Sequence, residues 1–242
     1  RVFKKSVWGI HWNYFIWKIK LKSLKNRIDL IYTVPSTWML SRAKQSIMLQ
    51  NSDIRLLPNP IDIEIFSPPS QLTIRSFRRS IGIIEGDIIL AFGAIGGKTS
   101  YLKGGHLLDD ALRLLSFELS ADVVKSVKLV NFGGKSKKCN FVHGFYNISL
   151  GHIKEQNELA LLYSSADFVV VPSLVESFGQ VAAEALSCET PVVCFNYSGL
   201  TDIVNDENGL LVKPYCVADL AEKLKRIILM NIKERSTLGQ KG

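Results

Sequence analysis

Two carboxylates and a lysine carry the strongest chemical signal in this 242-residue chain. Glu176 and Glu184 stand eight positions apart in the string PSLVESFGQVAAEALSCETP, residues 172–191. The apolar run before them, residues 168–171, reads as a buried parallel strand. Ser177 followed by Gln180 has capping-box spacing and predicts a helix from about Phe178, ended by Thr190-Pro191 because proline cannot continue it. Glu176 then falls in the strand-to-helix turn and Glu184 roughly two turns inside the helix. Where a strand's carboxyl end meets a helix N-terminus, open α/β sheets bind anionic ligands with free N–H groups and the helix dipole. Ionised carboxylates only accept hydrogen bonds, so two of them there suit a hydroxyl-rich ligand.

Other candidates sit in loops after apolar strands. Residues 91–105 form a glycine-rich stretch containing Gly93, Lys98 and Lys103-Gly104. It falls short of a nucleoside-triphosphatase phosphate loop, because position 92 is Phe, the first glycine is displaced to Gly93, and the loop continues beyond Thr99. Gly133-Gly134 follows the next strand and suits close approach of backbone to a ligand. Gly151 and His152 open a further loop, with a partly exposed structural histidine as the plain alternative for His152. Asp202 reads most simply as a helix or surface carboxylate.

These residues must be positioned by alternating elements. Strands are predicted at 28–34, 54–57, 87–93, 127–132, 146–150, 167–171, 191–195 and 209–212. Helices are predicted from 37 to about 48 and at 73–81, 104–117, 156–165, 178–188 and 217–230. Such alternation implies right-handed crossovers and a parallel sheet, an α/β, Rossmann-like fold. Four prolines make 58–70 the most loop-like stretch, dividing a smaller region, 1–66, from a second domain, 67–242.

Together, the Pro-Ser, Glu176, Ser-Phe-Gly, Glu184-Ala-Leu and Thr-Pro-Val-Val elements resemble the signature of retaining glycosyltransferases of the GT-B fold, above all the large family 4 (group 1) type, including enzymes of bacterial polysaccharide biosynthesis. The resemblance extends from about residue 28, through a linker in which Pro60 replaces the family's usual Gly. It implies that 1–66 is the end of an acceptor-side Rossmann-like domain and 67–242 the nucleotide-sugar domain. It further implies sugar transfer from a UDP- or GDP-sugar to a glycan or lipid-linked acceptor, with retention of configuration. Carried over residue by residue, Glu176 binds donor-sugar hydroxyls and Lys103 stabilises the leaving diphosphate. Glu184 holds the ribose; Ser177, Phe178 and Gly179 form the helix start over the phosphates. Gly93, Gly133, Gly151 and His152 line the rest of the nucleotide pocket. Ala94 stands where family members often have arginine, and Lys98 is the nearest replacement. Two other readings remain open: a non-catalytic nucleotide-sugar-binding half that needs a partner domain, and a sugar-nucleotide epimerase on the same fold.

Composition narrows the classes. No apolar stretch approaches the roughly 20 residues needed to span a bilayer, and no secretory signal precedes the first strand. Arg1 opens the chain without Met, which fits a fragment or trimmed chain. The four cysteines lack C-x-x-C spacing and read as buried free thiols in a reducing, cytoplasmic setting. Four scattered histidines exclude a zinc pattern. No Asp-x-Asp occurs, so neither cofactor nor metal is expected. The net charge of +8 is concentrated in residues 1–50, where ten Lys and Arg face Asp29 alone. No nucleic-acid module accompanies it, so no nucleic acid partner is expected. Trp8, Trp12, Phe15, Ile16 and Ile19 recur at helical spacing beside Lys18, Lys22 and Lys25. That pattern fits either peripheral contact with an anionic inner membrane face or a core-packed helix.

Overall fold

A computed structural model describes residues 12–242 except 26, 28, 94–100 and 135. The chain divides into two compact units, Arg1–Asn59 and Pro60–Gly242. The first contains α1 (Trp12–Leu24), β1 (Ile31–Val34), α2 (Thr37–Lys44) and β2 (Asp53–Leu56). β1 and β2 pair in parallel from Ile31↔Asp53 to Val34↔Leu56. Ser36 starts α2 by accepting a hydrogen bond from Met39 N at 3.2 Å, which satisfies one of the helix's orphan donors. α2 ends at Lys44, short of the predicted 48. No described residue of α1 is buried. Trp8, from the predicted aromatic stripe, and Ala94 and Lys98 lie outside the described residues.

The second unit runs α3 (Gln71–Ser80), β3 (Ile88–Gly93), α4 (Gly105–Glu118), α5 (Ala121–Ser126), β4 (Val127–Phe132), β5 (Lys137–Val142), β6 (Phe145–Leu150), α6 (Gln156–Ser165), β7 (Phe168–Val171), α7 (Gln180–Ser187), β8 (Val192–Phe195), β9 (Gly209–Val212), α8 (Val217–Leu229) and α9 (Ile232–Gly239). Its sheet has the order β5-β6-β4-β3-β7-β8-β9. Six strands are parallel, and in chain order they read 3-2-1-4-5-6, the doubly wound arrangement. Its switch point falls between β3 and β7, which pair directly.

Burial on both faces explains why the central strands read as continuous apolar runs. Successive side chains point to opposite faces. Leu90, Phe92, Phe168, Val170, Val193 and Phe195 pack against α4 and α8 through Leu112, Leu115, Leu220 and Leu224. Ile89, Ala91, Val169, Val171, Val192 and Cys194 enter the other layer with Tyr163, Ala182 and Leu186. Truncating a fully buried residue such as Leu112 to Ala would cost about 2–5 kcal/mol.

The structure corrects several expectations. β5 was not predicted and pairs antiparallel with β6. A two-residue turn joins them, with φ of 50° at His143 and 89° at Gly144, the signs of a type I′ hairpin. α5 and α9 are also additional. α7 begins at Gln180 rather than Phe178. Cys139 is exposed and Cys216 half-buried, so only Cys188 and Cys194 fit the buried-thiol expectation. Among the described residues, no helix is long and apolar enough to cross a membrane.

Candidate functional site

The loops leaving β3 and β7 meet at the switch point because Gly104 lets them. Gly104 has φ 66° and is the N-cap of α4. A Cβ there would lie 1.8 Å from Pro172 O, so only glycine fits both the left-handed backbone and the close approach. This contact sets up a direct bridge, Leu174 N donating to Leu102 O at 2.9 Å. One residue along from Leu102, Lys103 Nζ reaches Glu176 Oε1 at 2.5 Å. The lysine side chain is 31% exposed and the glutamate 17%. Two residues 73 positions apart thus form one charged unit at the sheet's carboxyl edge.

Glu176 is held from behind as well. Its N–H donates to Ser198 Oγ at 3.0 Å, and its carbonyl accepts from Gly199 N at 3.0 Å. Ser198 is buried and sits at φ 61°, a left-handed conformation that costs a residue with a Cβ about 1–2 kcal/mol. A Cβ on Gly199 would lie 2.6 Å from Ser177 O. Tyr215 OH adds a third support by donating to Leu174 O at 3.0 Å. Neither Ser198 nor Tyr215 was singled out from sequence, because each acts through a loop distant in the chain.

The predicted capping box at the start of α7 does not form. Gly179, at φ 114°, is the N-cap and no side chain caps the helix. The same holds for α4, α6 and α8, the other helices that follow parallel strands of the seven-stranded sheet. By contrast, α3, α5 and α9 are capped by Ser70, Ser120 and Asn231. Helix starts without side-chain caps keep backbone donors for an anion. Ser177 is exposed beside this start, whereas Phe178 and Gly179 are buried.

Glu184 is only 9% exposed, so it is not a solvated helix residue. Its Oε2 accepts from the fully buried Tyr163 OH at 3.1 Å. Burial raises its carboxyl above the usual range, while hydrogen bonds from Gln180 and Tyr163 oppose the shift. Burial, followed by the neighbouring Glu184 charge, pushes the Tyr163 phenol well up. The phenol therefore keeps its proton and is the donor.

The remaining predicted residues surround this centre unevenly. Gly133, at φ 83°, donates its N–H to Gly151 O at 2.8 Å, joining the ends of β4 and β6. That amide is therefore already used. Gly151 is buried and left-handed, and His152 beside it is exposed. Gly93 answers to packing, since a Cβ there would fall 2.1 Å from the Phe132 ring. Asp202 ends the exposed side of a short 3₁₀ segment, Ser198–Asp202. Among the described residues, no group of three or more His, Cys, Asp or Glu could hold a metal ion.

The family model for group 1 glycosyl transferases matches residues 97–242. A D-inositol 3-phosphate glycosyltransferase of Xylanimonas cellulosilytica is 36% identical over 188 residues, covering 70% of this chain and 42% of the relative. The chain thus spans less than half the length of the curated relatives it matches. Two solved structures share the fold. Sucrose-phosphate synthase of Thermosynechococcus elongatus superposes with a TM-score of 0.71 at 23% identity, covering 92% of this chain and 54% of that one. Anabaena HepE in complex with UDP-glucose gives 0.69 at 19%, covering 92% and 60%.

Proposed function

Because this chain belongs to the group 1 glycosyl transferases, we propose that its larger unit binds a nucleotide-diphosphate sugar and that the whole protein transfers the sugar to a glycan or lipid-linked acceptor with retention of configuration. The observation that carries this reading is the Lys103–Glu176 pair at the switch point, 2.5 Å apart and backed by Ser198 and Gly199. Lys103 would contact the diphosphate and Glu176 the hydroxyls of the donor sugar. The uncapped start of α7 at Phe178 and Gly179 would add backbone N–H donors. Glu184 would accept from the ribose hydroxyls.

The chemistry asked of these residues is charge stabilisation. As the glycosidic bond to the diphosphate breaks, negative charge grows on the leaving phosphate. A fixed ammonium and oriented amides lower the barrier most where that charge develops. Glu176 is tied to a lysine and its own N–H and C=O are engaged, which suits a sugar-orienting acceptor better than a proton-abstracting base. Neither metal nor cofactor has a part in this scheme. The base, uracil or guanine, is left to loop backbone around Gly133 and Gly151.

Calorimetry with UDP and GDP tests the reading. Glu184→Ala should weaken nucleotide binding far more than Glu176→Ala, since ribose is common to nucleotide and donor while the sugar is not. The loss of a charged hydrogen-bond partner costs about 1.5–3 kcal/mol. Equal affinity in wild type and Glu184→Ala would remove the ribose role.

A second reading concerns α1. Trp12 and Phe15 are 58% and 61% exposed, with Ile16 and Ile19 also exposed; Lys18, Lys22 and Lys25 lie alongside. A basic helix with exposed aromatic and apolar side chains of this kind would rest on anionic lipid, each lysine adding about 1 kcal/mol. Co-sedimentation with anionic vesicles should fall with salt and with Lys18/Lys22/Lys25→Glu. Identical sedimentation of variant and wild type at every salt concentration would refute it.

A further inference from the structure

Tyr163 is a tyrosine where packing alone asks for phenylalanine. Its ring is fully buried, 6.3 Å from the Phe66 ring and 5.7 Å from the Phe132 ring, the latter edge-on. Its carbonyl accepts from Thr190 Oγ1 at 2.8 Å. The residue is thus fixed at both backbone and ring, and its two side-chain torsions have no freedom left. A phenol in such a place must find a partner or lose the hydrogen bonds it made in water. The partner is Glu184 Oε2, at 3.1 Å, on the neighbouring helix.

We propose that Tyr163 is a positioning residue for the nucleotide: its immobile hydroxyl fixes the Glu184 carboxylate in the one orientation that leaves acceptor sites for a vicinal pair of ribose hydroxyls. This rests on the ribose role of Glu184 proposed above. The count of lone pairs supports it. A carboxylate offers about four acceptor sites. Tyr163 takes one, so about three remain, enough for both donors of a 2′,3′-diol. The other titratable group beside the carboxylate is Cys188, whose thiol burial pushes up to about 11, so it adds no competing charge. Preorganisation of this kind acts on affinity because a carboxylate already oriented loses no rotamer freedom when the ligand arrives.

Tyr163→Phe keeps the ring and removes only the donor. The test compares the affinity of the chain for UDP and GDP with its affinity for their 2′,3′-dideoxy counterparts, by calorimetry. Tyr163→Phe should weaken the natural diphosphates by about tenfold, the worth of one hydrogen bond to a charged acceptor, and leave the dideoxy analogues at wild-type affinity. In a Glu184→Gln background the same substitution should change affinity by less than about twofold, since a neutral amide no longer needs the donor to stay charged. Equal weakening of diol and dideoxy ligands would mark Tyr163 as merely structural and overturn the proposal. Wild-type affinity of Tyr163→Phe for the natural diphosphates, alongside loss in Glu184→Ala, would overturn the positioning role and keep the ribose reading. Wild-type affinity in Glu184→Ala, or no binding of either diphosphate to the unaltered chain, would overturn both.

Discussion

Neutralising Glu176 should tighten the binding of a free nucleoside diphosphate while weakening that of the nucleotide sugar. In the unliganded chain Lys103 is already engaged, its Nζ 2.5 Å from Glu176 Oε1. The Coulomb attraction at that distance is on the order of 6 kcal/mol at an effective dielectric of ~20. Withdrawal of both groups from water and the ordering of a flexible lysine cancel most of it. With the two side chains 31% and 17% exposed, a net worth of about 1 kcal/mol is reasonable. Glu176→Gln removes that competition and one negative charge beside the diphosphate, so affinity should rise about fivefold. The sugar-bearing donor loses a charged acceptor for its hydroxyls and should bind more weakly than to wild type. Calorimetry of Glu176→Gln, Lys103→Met and the double variant separates the terms. The gain for free diphosphate must vanish in the Lys103→Met background, because it works only through the lysine. Weaker diphosphate binding by Glu176→Gln, or a gain that survives without Lys103, would refute the reasoning.

Gly104→Ala places a Cβ 1.8 Å from Pro172 O on a backbone at φ 66°, so the β3 and β7 loops must part. A loss of at least about 2 kcal/mol is expected, read as a fall of roughly 5 °C in Tm together with weaker diphosphate binding; an unchanged melting curve would contradict the geometry. Burial raises the Glu184 carboxyl in the folded chain, so the folded form holds this proton more tightly than the unfolded one. Stability from this group is therefore lost as pH rises through the raised folded value and stays lost above it. Urea melts from about pH 4 to about pH 8 should show Glu184→Gln gaining on wild type across that window, whereas parallel profiles would show that the group titrates normally. Excess EDTA should leave diphosphate affinity unchanged, and abolished binding would require a metal in the donor site.

The central strands β3, β7 and β8 were legible because burial on both faces leaves no polar side chain within them, as in residues 168–171. The glutamate string was legible because turn, helix and stop follow one another in 20 residues. What connects distant segments was not. The contact between Lys103 and Glu176 depends on a glycine approaching the backbone of Pro172, which no local pattern encodes. Ser177 and Gln180 have the letters of a capping box, but Gly179 takes a left-handed φ and becomes the N-cap, so the helix starts at Gln180 itself. Tyr163 was not singled out, because its partner Glu184 lies on a different helix, α7. β5 was missed because Lys137, Lys138 and Asn140 break its hydrophobic alternation, and His143-Gly144 is an uncommon pair for a type I′ turn. α9 could have been found: Asn231 and Glu234 form a complete capping box.

The antiparallel strand β5 has a bearing on how the molecule meets copies of itself. Without it the sheet would end at β6, a mostly buried strand that would present an open row of backbone donors and acceptors. Such an edge invites another chain to add a strand. β5 moves the open row onto a strand whose Lys137, Lys138 and Asn140 stand in solvent. A strand added there would bring a second pair of lysines, or bury the first, so like-charge repulsion and desolvation both oppose it. A hairpin whose first strand begins beside Gly151 thereby guards this edge of the sheet against edge-to-edge aggregation.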